Sequence, residues 1–162
     1  MATTTSFGDS PDAITAIDGS VTRNANLTVE TYSSLSVPAG ATVNGIVVTW
    51  TGGYSSDIEE AAPVMSVGYE GSGNSNLLAA NDSPAYFSDI STVTYGAPTQ
   101  LWGLSWTVAQ ANAIFTKMAT DSGTFYHDAF QVTIHYTAAA APSSIEISQG
   151  TFNLAQGKIT IS

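Results

Sequence analysis

Apolar and polar residues alternate along much of this chain in short stretches. Side chains that repeat every second residue lie on one face of a β-strand, so each stretch predicts a strand with one buried face. The pattern occurs at residues 27–37, 43–53, 64–71, 100–107 and 129–137. Turns rich in glycine, serine and asparagine separate several of these stretches. Such spacing is typical of a β-sandwich or barrel, and not of alternating strands and helices.

The alternation also predicts which side chains face the core. In chain order the predicted faces are Leu27, Val29 and Thr31; Ile46, Val48 and Trp50; Met65, Val67 and Tyr69; Trp102, Leu104 and Trp106; and Phe130, Val132, Ile134 and Tyr136. We therefore expect an all-β protein, an antiparallel sandwich whose core these side chains fill.

One stretch, TVAQANAIFTKM (107–118), has a helical pattern instead. Thr107 and Gln110 have the spacing of a capping box. The apolar residues that follow fall at positions i, i+3, i+4 and i+7, as on one face of a helix: Ala111, Ile114, Phe115 and Met118. The pattern predicts one short helix that closes an end or edge of the sandwich. Docking of a partner on this helix is the alternative.

Composition limits the possible partners. The net charge is −10, with 13 acidic residues against three basic ones, and the chain has no cysteine. Such a charge repels nucleic-acid phosphates and anionic membranes, so we expect neither as a partner. The missing cysteines exclude disulfides, thiolate catalysis and cysteine-ligated metals. We also find no signal peptide pattern and no apolar stretch that could span a membrane.

The most site-like stretch is FYHDAFQVTIHYT (125–137), which contains both histidines. Alternation counted back from Phe130 places His127 and His135 outward, and Asp128 inward as a structural carboxylate that binds backbone amides. Eight residues of strand would separate the two histidines by about 26 Å, too far for one metal ion. We therefore expect solvent-facing histidines, no metal and no cofactor.

Other candidate sites are weaker. Asp57, Glu59 and Glu60 could hold Ca²⁺ from a loop, but the glycine of a calcium loop is absent, and a solvated acidic loop is favoured. GYEGSGNSN (68–76) is typical of a hairpin loop. The motifs of hydrolases, phosphate loops and dinucleotide sites are also absent, so we expect no catalytic residues and no enzyme.

The aromatic residues allow two interpretations. They could form a platform on which sugars stack, or they could belong to the core, which is favoured because they share the strand phase of leucine and valine. The residues concerned are Trp50, Tyr54, Tyr69, Trp102 and Trp106.

The chain after residue 137 has a different character. We assign residues 1–137 to the sandwich, AAAAP (138–142) to a linker and 143–162 to a strand-forming C-terminal extended arm. The arm has too few residues for a core of its own, so we expect it to pair with a neighbouring subunit or another partner protein. A frayed tail, or a strand folded back on its own sandwich, is the alternative. The expected interaction residues are Ile145, Ile147, Phe152, Leu154, Ile159 and Ile161.

Three phrases of the sequence resemble phrases of structural proteins in tailed-bacteriophage virions. They are SVPAGATVNGIVVTWTGG (36–53), LWGLSWTVAQAN (101–112) and YHDAFQVTIHYT (126–137), in the same order as in that family. The resemblance implies a jelly-roll-like β-sandwich with a structural, non-enzymatic role and a virion location.

From the resemblance we expect a capsid decoration, or cement, protein on the outer capsid surface. It would form a homotrimer and bind the major capsid protein. Two alternatives remain open, a tail or fibre subunit and a carbohydrate-binding module for host attachment.

Overall fold

The computed structural model describes residues 1–8, 22–24, 27–54, 64–69, 79–81, 91–119 and 125–141. Within these ranges the chain forms nine β-strands and one short α-helix. The elements are β1 (Ala2–Phe7), β2 (Thr22–Asn24), β3 (Leu27–Thr31), β4 (Thr42–Tyr54), β5 (Val64–Tyr69), β6 (Ala79–Asn81), β7 (Ser91–Ala97), α1 (Val108–Asn112), β8 (Ile114–Ala119) and β9 (Phe125–Thr137).

The strands form two antiparallel sheets. The first has the order β1-β9-β4-β7, and the short strand β2 also pairs with β9. The second has the order β3-β8-β5-β6. The longest strands, β4 and β9, have 13 residues each and pair along their whole length at the centre of the first sheet.

A single hydrophobic core joins the two sheets, so the predicted all-β, sandwich-like architecture is confirmed. The first sheet contributes Ile46, Val48, Trp50, Val132 and Ile134, and the second contributes Met65, Val67, Ile114 and Met118. Each such side chain stabilises the fold by about 1.5–3 kcal/mol when fully buried. The predicted faces of β4 and β9 are confirmed, with Tyr136 only partly buried.

The predicted face of β3 is wrong. Val29 is 49% exposed and Thr31 is also exposed, whereas Glu30 and Tyr32 are buried. The Tyr32 hydroxyl hydrogen-bonds to the hydroxyl of Thr116 on β8 at 2.7 Å. Tyr32 buries more apolar area than Val29 can, and it lies in the opposite phase of the strand, so its burial sets the inward face.

The stretch 100–107 is not a strand. Trp102 and Gly103 have φ angles of 58° and 73°, in the left-handed region, so the alternation is broken there. Trp102 is buried and its Nε1–H donates to the Ile46 carbonyl at 2.9 Å. Leu104 and Trp106 are only partly buried. The indole hydrogen bond holds a backbone conformation that a tryptophan rarely adopts.

The predicted helix is correct at its start and wrong at its end. The capping box of Thr107 and Gln110 is present, but α1 ends at Asn112. Strand β8 begins two residues later and contains Ile114, Phe115 and Met118. Isoleucine, phenylalanine and threonine in succession favour a strand, because β-branched and aromatic side chains fit a pleated surface. Asn112 ties the helix end to the chain before β4 by two hydrogen bonds with the backbone of Val37.

Candidate functional site

The histidine and aspartate at the start of β9 lie at a β-bulge. Along the β4–β9 ladder, Thr51 pairs with Ala129 and Gly52 pairs with His127, so Asp128 is an extra residue with no partner on β4. A bulge of this kind shifts the side-chain alternation by one residue. The predicted outward position of His127 is therefore wrong: the side chain is only 4% exposed. Asp128 is buried, as expected.

His127 is held among aromatic side chains. The Trp50 Nε1–H donates to His127 Nδ1 at 2.9 Å. The imidazole lies 5.0 Å from the Phe130 ring centre and meets the Trp50 ring edge-on at 6.0 Å. Because Nδ1 accepts this hydrogen bond, the neutral imidazole carries its proton on Nε2.

The surroundings of His127 favour its neutral form. Desolvation by burial lowers its pKa from 6.5 to about 4. Charging the imidazole would also break the hydrogen bond, since a protonated Nδ1 cannot accept from the indole. These contacts describe a structural histidine that fixes the start of β9 against β4. A general base would need a substrate within hydrogen-bond reach.

His135 lies apart from His127, towards the other end of β9. It pairs with Thr3 of β1 and is partly exposed on the outer side of the first sheet. The structure therefore does not bring the two histidines together. In the ranges that the structure describes, no group of three acidic or histidine side chains is placed to hold a metal ion.

The outer side of the first sheet carries a set of threonines, which we call the threonine face. These side chains alternate with the buried core residues of β1, β4, β7 and β9. Neighbouring strands bring them together: Thr5 pairs with Thr133, and Thr49 pairs with Thr94. The threonine face consists of Thr3, Thr5, Thr49, Thr92, Thr94 and Thr133.

The threonine face is uncharged. Four further side chains that are at least partly exposed in this phase are Phe7, Val47, Gln131 and His135, none of them acidic, lysine or arginine, while Thr51 and Ala129 in the same phase are buried. At the end of the sheet, Arg23 of β2 pairs with Tyr126 in the same phase. Of the 13 acidic residues, only Glu30 and Asp128 fall in the described ranges, and both are buried. Within the described residues, the threonine face is thus a neutral patch on a chain with a net charge of −10, a pattern that sequence periodicity alone did not reveal.

Hydroxyl pairs hold parts of this surface together. Thr5 and Thr133 hydrogen-bond through their hydroxyls at 3.0 Å, and Thr51 and Thr92 do so at 2.9 Å. Cross-strand threonine pairs of this kind each contribute roughly 0.2–1 kcal/mol. Because threonine side chains have few rotamers, such a surface loses little entropy when a partner covers it.

The aromatic residues do not form one exposed platform. Trp50 and Trp102 are buried in the core. Trp106 is partly exposed and meets the Tyr69 ring edge-on at 5.9 Å, while its Nε1–H donates to the Leu101 carbonyl at 3.0 Å. The core interpretation holds for the first two tryptophans.

Several predicted sites lie outside the described residues. These are the acidic loop with Asp57, Glu59 and Glu60, most of the loop 68–76, and the arm residues Ile145, Ile147, Phe152, Leu154, Ile159 and Ile161. The strands on either side of the loop, β5 and β6, pair antiparallel.

No family model, curated protein or solved structure matches this chain. Among the residues that the structure describes, no helix has the length and apolar character needed to span a membrane.

Proposed function

We propose that this chain is a structural, non-enzymatic protein of a tailed-phage virion, and specifically a capsid decoration protein on a jelly-roll sandwich. It would bind the major capsid protein at the outer capsid surface as a homotrimer. Three features of the molecule support the proposal. They are the order of its strands, the packing of segments 36–53, 101–112 and 126–137 against one another, and the neutral threonine face.

The strand order supports a jelly roll. β1 and β2 both pair with β9, so they can be counted as one interrupted edge strand. The first sheet then holds the first, last, third and sixth strands in that order, and the second sheet holds the second, seventh, fourth and fifth. This order supports an arrangement of two interlocked Greek keys, the architecture of jelly rolls in viral capsid proteins and lectins. Because fold does not determine function, the surface chemistry has to distinguish a capsid protein from a lectin.

The observation that carries the proposal is the mutual packing of the three phrases. Trp102 of the second phrase donates to the Ile46 carbonyl of the first. Trp50 of the first phrase donates to His127 of the third. The phrases thus form one connected unit around the β4–β9 pair, which gives a physical reason for their occurrence together in one protein family.

The threonine face supports a docking role. Charged groups must lose their hydration when an interface forms, and a surface without them avoids that cost. Each bound copy would stabilise the shell by its own free energy of binding, through mass action. Several sites in one oligomer would strengthen attachment further through multivalency.

A sedimentation assay with two matched variants tests this role. Purified protein is mixed with empty capsids of the phage that encodes it, and the capsid pellet is analysed. We expect Thr49→Glu, at the centre of the threonine face, to lower capsid binding at least tenfold. Thr31→Glu, at an exposed position on the second sheet, is the control and should bind like wild type.

A parallel glycan screen separates the alternatives. Specific glycan binding without affinity for capsids would contradict the decoration role and favour the carbohydrate-binding module, for which the partly exposed Trp106 and Tyr69 would be the first residues to substitute. Binding to purified tails instead of capsids would favour a tail or fibre subunit.

A further inference from the structure

Strand β7 forms one edge of the first sheet, and no strand in the described ranges pairs with its outer side. Natural proteins protect such edges with charged residues, prolines, bulges or very short strands. Ser91–Ala97 contains no charged residue and no proline, and its register with β4 is regular throughout. Within the described residues, this edge therefore has none of the usual protection against strand addition.

The backbone of β7 directs hydrogen-bonding groups outward. Ile46 donates its N–H to the Gln100 carbonyl at 3.0 Å and accepts from Trp102, so its polar groups face the β7 side of β4. In an antiparallel ladder the backbone N–H and C=O groups of successive residues point to opposite sides of the strand, so every second residue of β7 bonds to β4. By this alternation Thr92 and Thr94 direct their N–H and C=O groups away from β4, towards the free edge.

The chain after the sandwich contains a segment with the matching alternation. In KITIS (158–162), Ile159 and Ile161 flank Thr160, and isoleucine and threonine are among the residues most favoured in strands. A strand added beside β7 with Thr160 next to Thr94 would extend the threonine face. Ile161 would then lie opposite Val93, which packs against the core only partly buried, and Ile159 would lie opposite Tyr95.

The chain leaves the sandwich past the end of the first sheet, with enough length to reach a second copy. Ala97 of β7 and Ile134 of β9 both pair with Ile46 of β4, so the two residues lie at the same height along the sheet. Ala139 lies beside Gly40, so the chain continues past the end of the sheet, about 16 Å beyond Ile134 at roughly 3.3 Å per residue. Proline at 142 disfavours a helical turn at Ala141 and keeps the chain extended. The 16 residues between Ala141 and Lys158 span roughly 50 Å when extended, enough to reach β7 of a neighbouring copy as well as its own.

Charge favours these two surfaces for a contact between copies. Residues 143–162 contain one acidic and one basic side chain, Glu146 and Lys158, and have no net charge. The whole chain carries −10, so two copies repel each other over most of their surfaces. The neutral segment and the uncharged β7 edge can approach without that repulsion.

We propose that the free edge of β7 receives residues 158–162 of a second copy by β-strand addition. The second copy's strand would run antiparallel to β7 and continue the first sheet. This inference goes beyond the virion role and does not depend on it, because strand exchange between copies requires no capsid.

Disulfide trapping tests the pairing, and the absence of native cysteines makes it specific. In an antiparallel sheet directly opposed residues lie about 5.5 Å apart, within the range that a disulfide can bridge. Protein carrying Thr94→Cys is mixed with protein carrying Thr160→Cys under mild oxidation. We expect a covalent heterodimer as the main product on a non-reducing gel. Two control cysteines replace Thr94→Cys in the same experiment: Thr5→Cys on the opposite edge of the sheet and Thr49→Cys on β4.

The controls should cross-link at least tenfold more slowly than Thr94→Cys. Equal rates at Thr5→Cys and Thr94→Cys would overturn the choice of edge. The double variant Thr94→Cys/Thr160→Cys distinguishes the two sources of the strand. At low protein concentration, a product that is only an internally linked monomer would overturn the assignment to a second copy. Linked dimers and larger species would support it.

Discussion

The Trp50 indole N–H donates to Nδ1 of His127 at 2.9 Å and joins the middle of β4 to the bulged start of β9. The bulge at Asp128 turns the histidine inward, and burial then lowers the pKa of His127 to about 4. One extra residue in a strand thus converts an expected surface histidine into a core side chain whose protonation is linked to folding.

Acidification should unfold the protein partly through His127. The unfolded chain protonates this histidine near pH 6.5, whereas the folded chain does so only near pH 4. Between these values the unfolded state binds more protons, so the free energy of unfolding falls as the pH falls. The loss should approach about 3 kcal/mol at pH 4 and be absent above pH 6.5, at 1.36 kcal/mol per pKa unit.

Urea unfolding between pH 4 and pH 7 measures this effect. The His127→Gln variant should lose much of the pH slope, because glutamine does not titrate, while the carboxylates contribute equally in both proteins. His135→Gln, at a partly exposed position on the same strand, is the matched control for the substitution itself. Equal slopes in His127→Gln and wild type would show that the histidine does not titrate in this way.

Gly96 and Gly103 form a matched pair for backbone strain. Their φ angles are 79° and 73°, so alanine is disfavoured at either position. A Cβ at Gly96 would lie 2.4 Å from the Ile46 carbonyl oxygen, whereas a Cβ at Gly103 would meet nothing within 4 Å. Gly103→Ala should therefore cost about 1–2 kcal/mol, the cost of the left-handed conformation.

Gly96→Ala should cost clearly more than Gly103→Ala, because the Ile46 carbonyl and the Trp102 ring must also move. Thermal unfolding of both variants checks this order. Equal losses would mean that the loop after β7 adjusts freely and that the contact between Trp102 and Ile46 is not tightly held.

Trp102 should contribute through both its ring and its N–H. Trp102→Phe keeps an aromatic ring but removes the donor to Ile46, and we expect a loss of about 1–3 kcal/mol from the buried carbonyl left without its partner. Trp102→Ala should cost about 3–5 kcal/mol. Trp106→Ala should cost less, because Trp106 is only partly buried. A larger loss for Trp106→Ala in denaturant titrations would contradict this ranking.

Truncation after Ala141 should leave the sandwich folded. All the described strands and core residues lie before residue 142, so we expect the melting temperature of the monomer to change little. Assembly into oligomers, measured by light scattering, should be lost. If the truncated monomer melts much earlier or aggregates, the segment belongs to its own sandwich. If oligomers persist, other surfaces hold them together.

The sequence allowed prediction of the central strands because their alternation is long and regular. Ile46 to Trp50 and Phe130 to Ile134 lie buried as expected. The capping box at Thr107 was also predictable, since it depends on local hydrogen bonds. The extent of the helix was not, because Ile114 and Met118 satisfy a helical and a strand pattern equally well and the pairing with β3 and β5 decides between them.

The errors at the candidate site have a common physical cause. A bulge or a left-handed residue shifts the alternation of side chains by one residue, and the apolar–polar pattern of the sequence gives no sign of this shift. This happened at Asp128, which turned His127 inward, and at Trp102, which ended an apparent strand. The threonine face was missed because alternation identifies the apolar side of a strand, while neutrality of the opposite side emerges only when several strands are placed side by side.

Electron cryo-microscopy of the intact virion tests the central proposal most directly. The account predicts density for the sandwich on the outer capsid surface, with the threonine face towards the major capsid protein. It also predicts loss of that density in virions produced without this chain, with tails unchanged. Density confined to the tail or fibres, or absence of the protein from purified virions, would contradict the account.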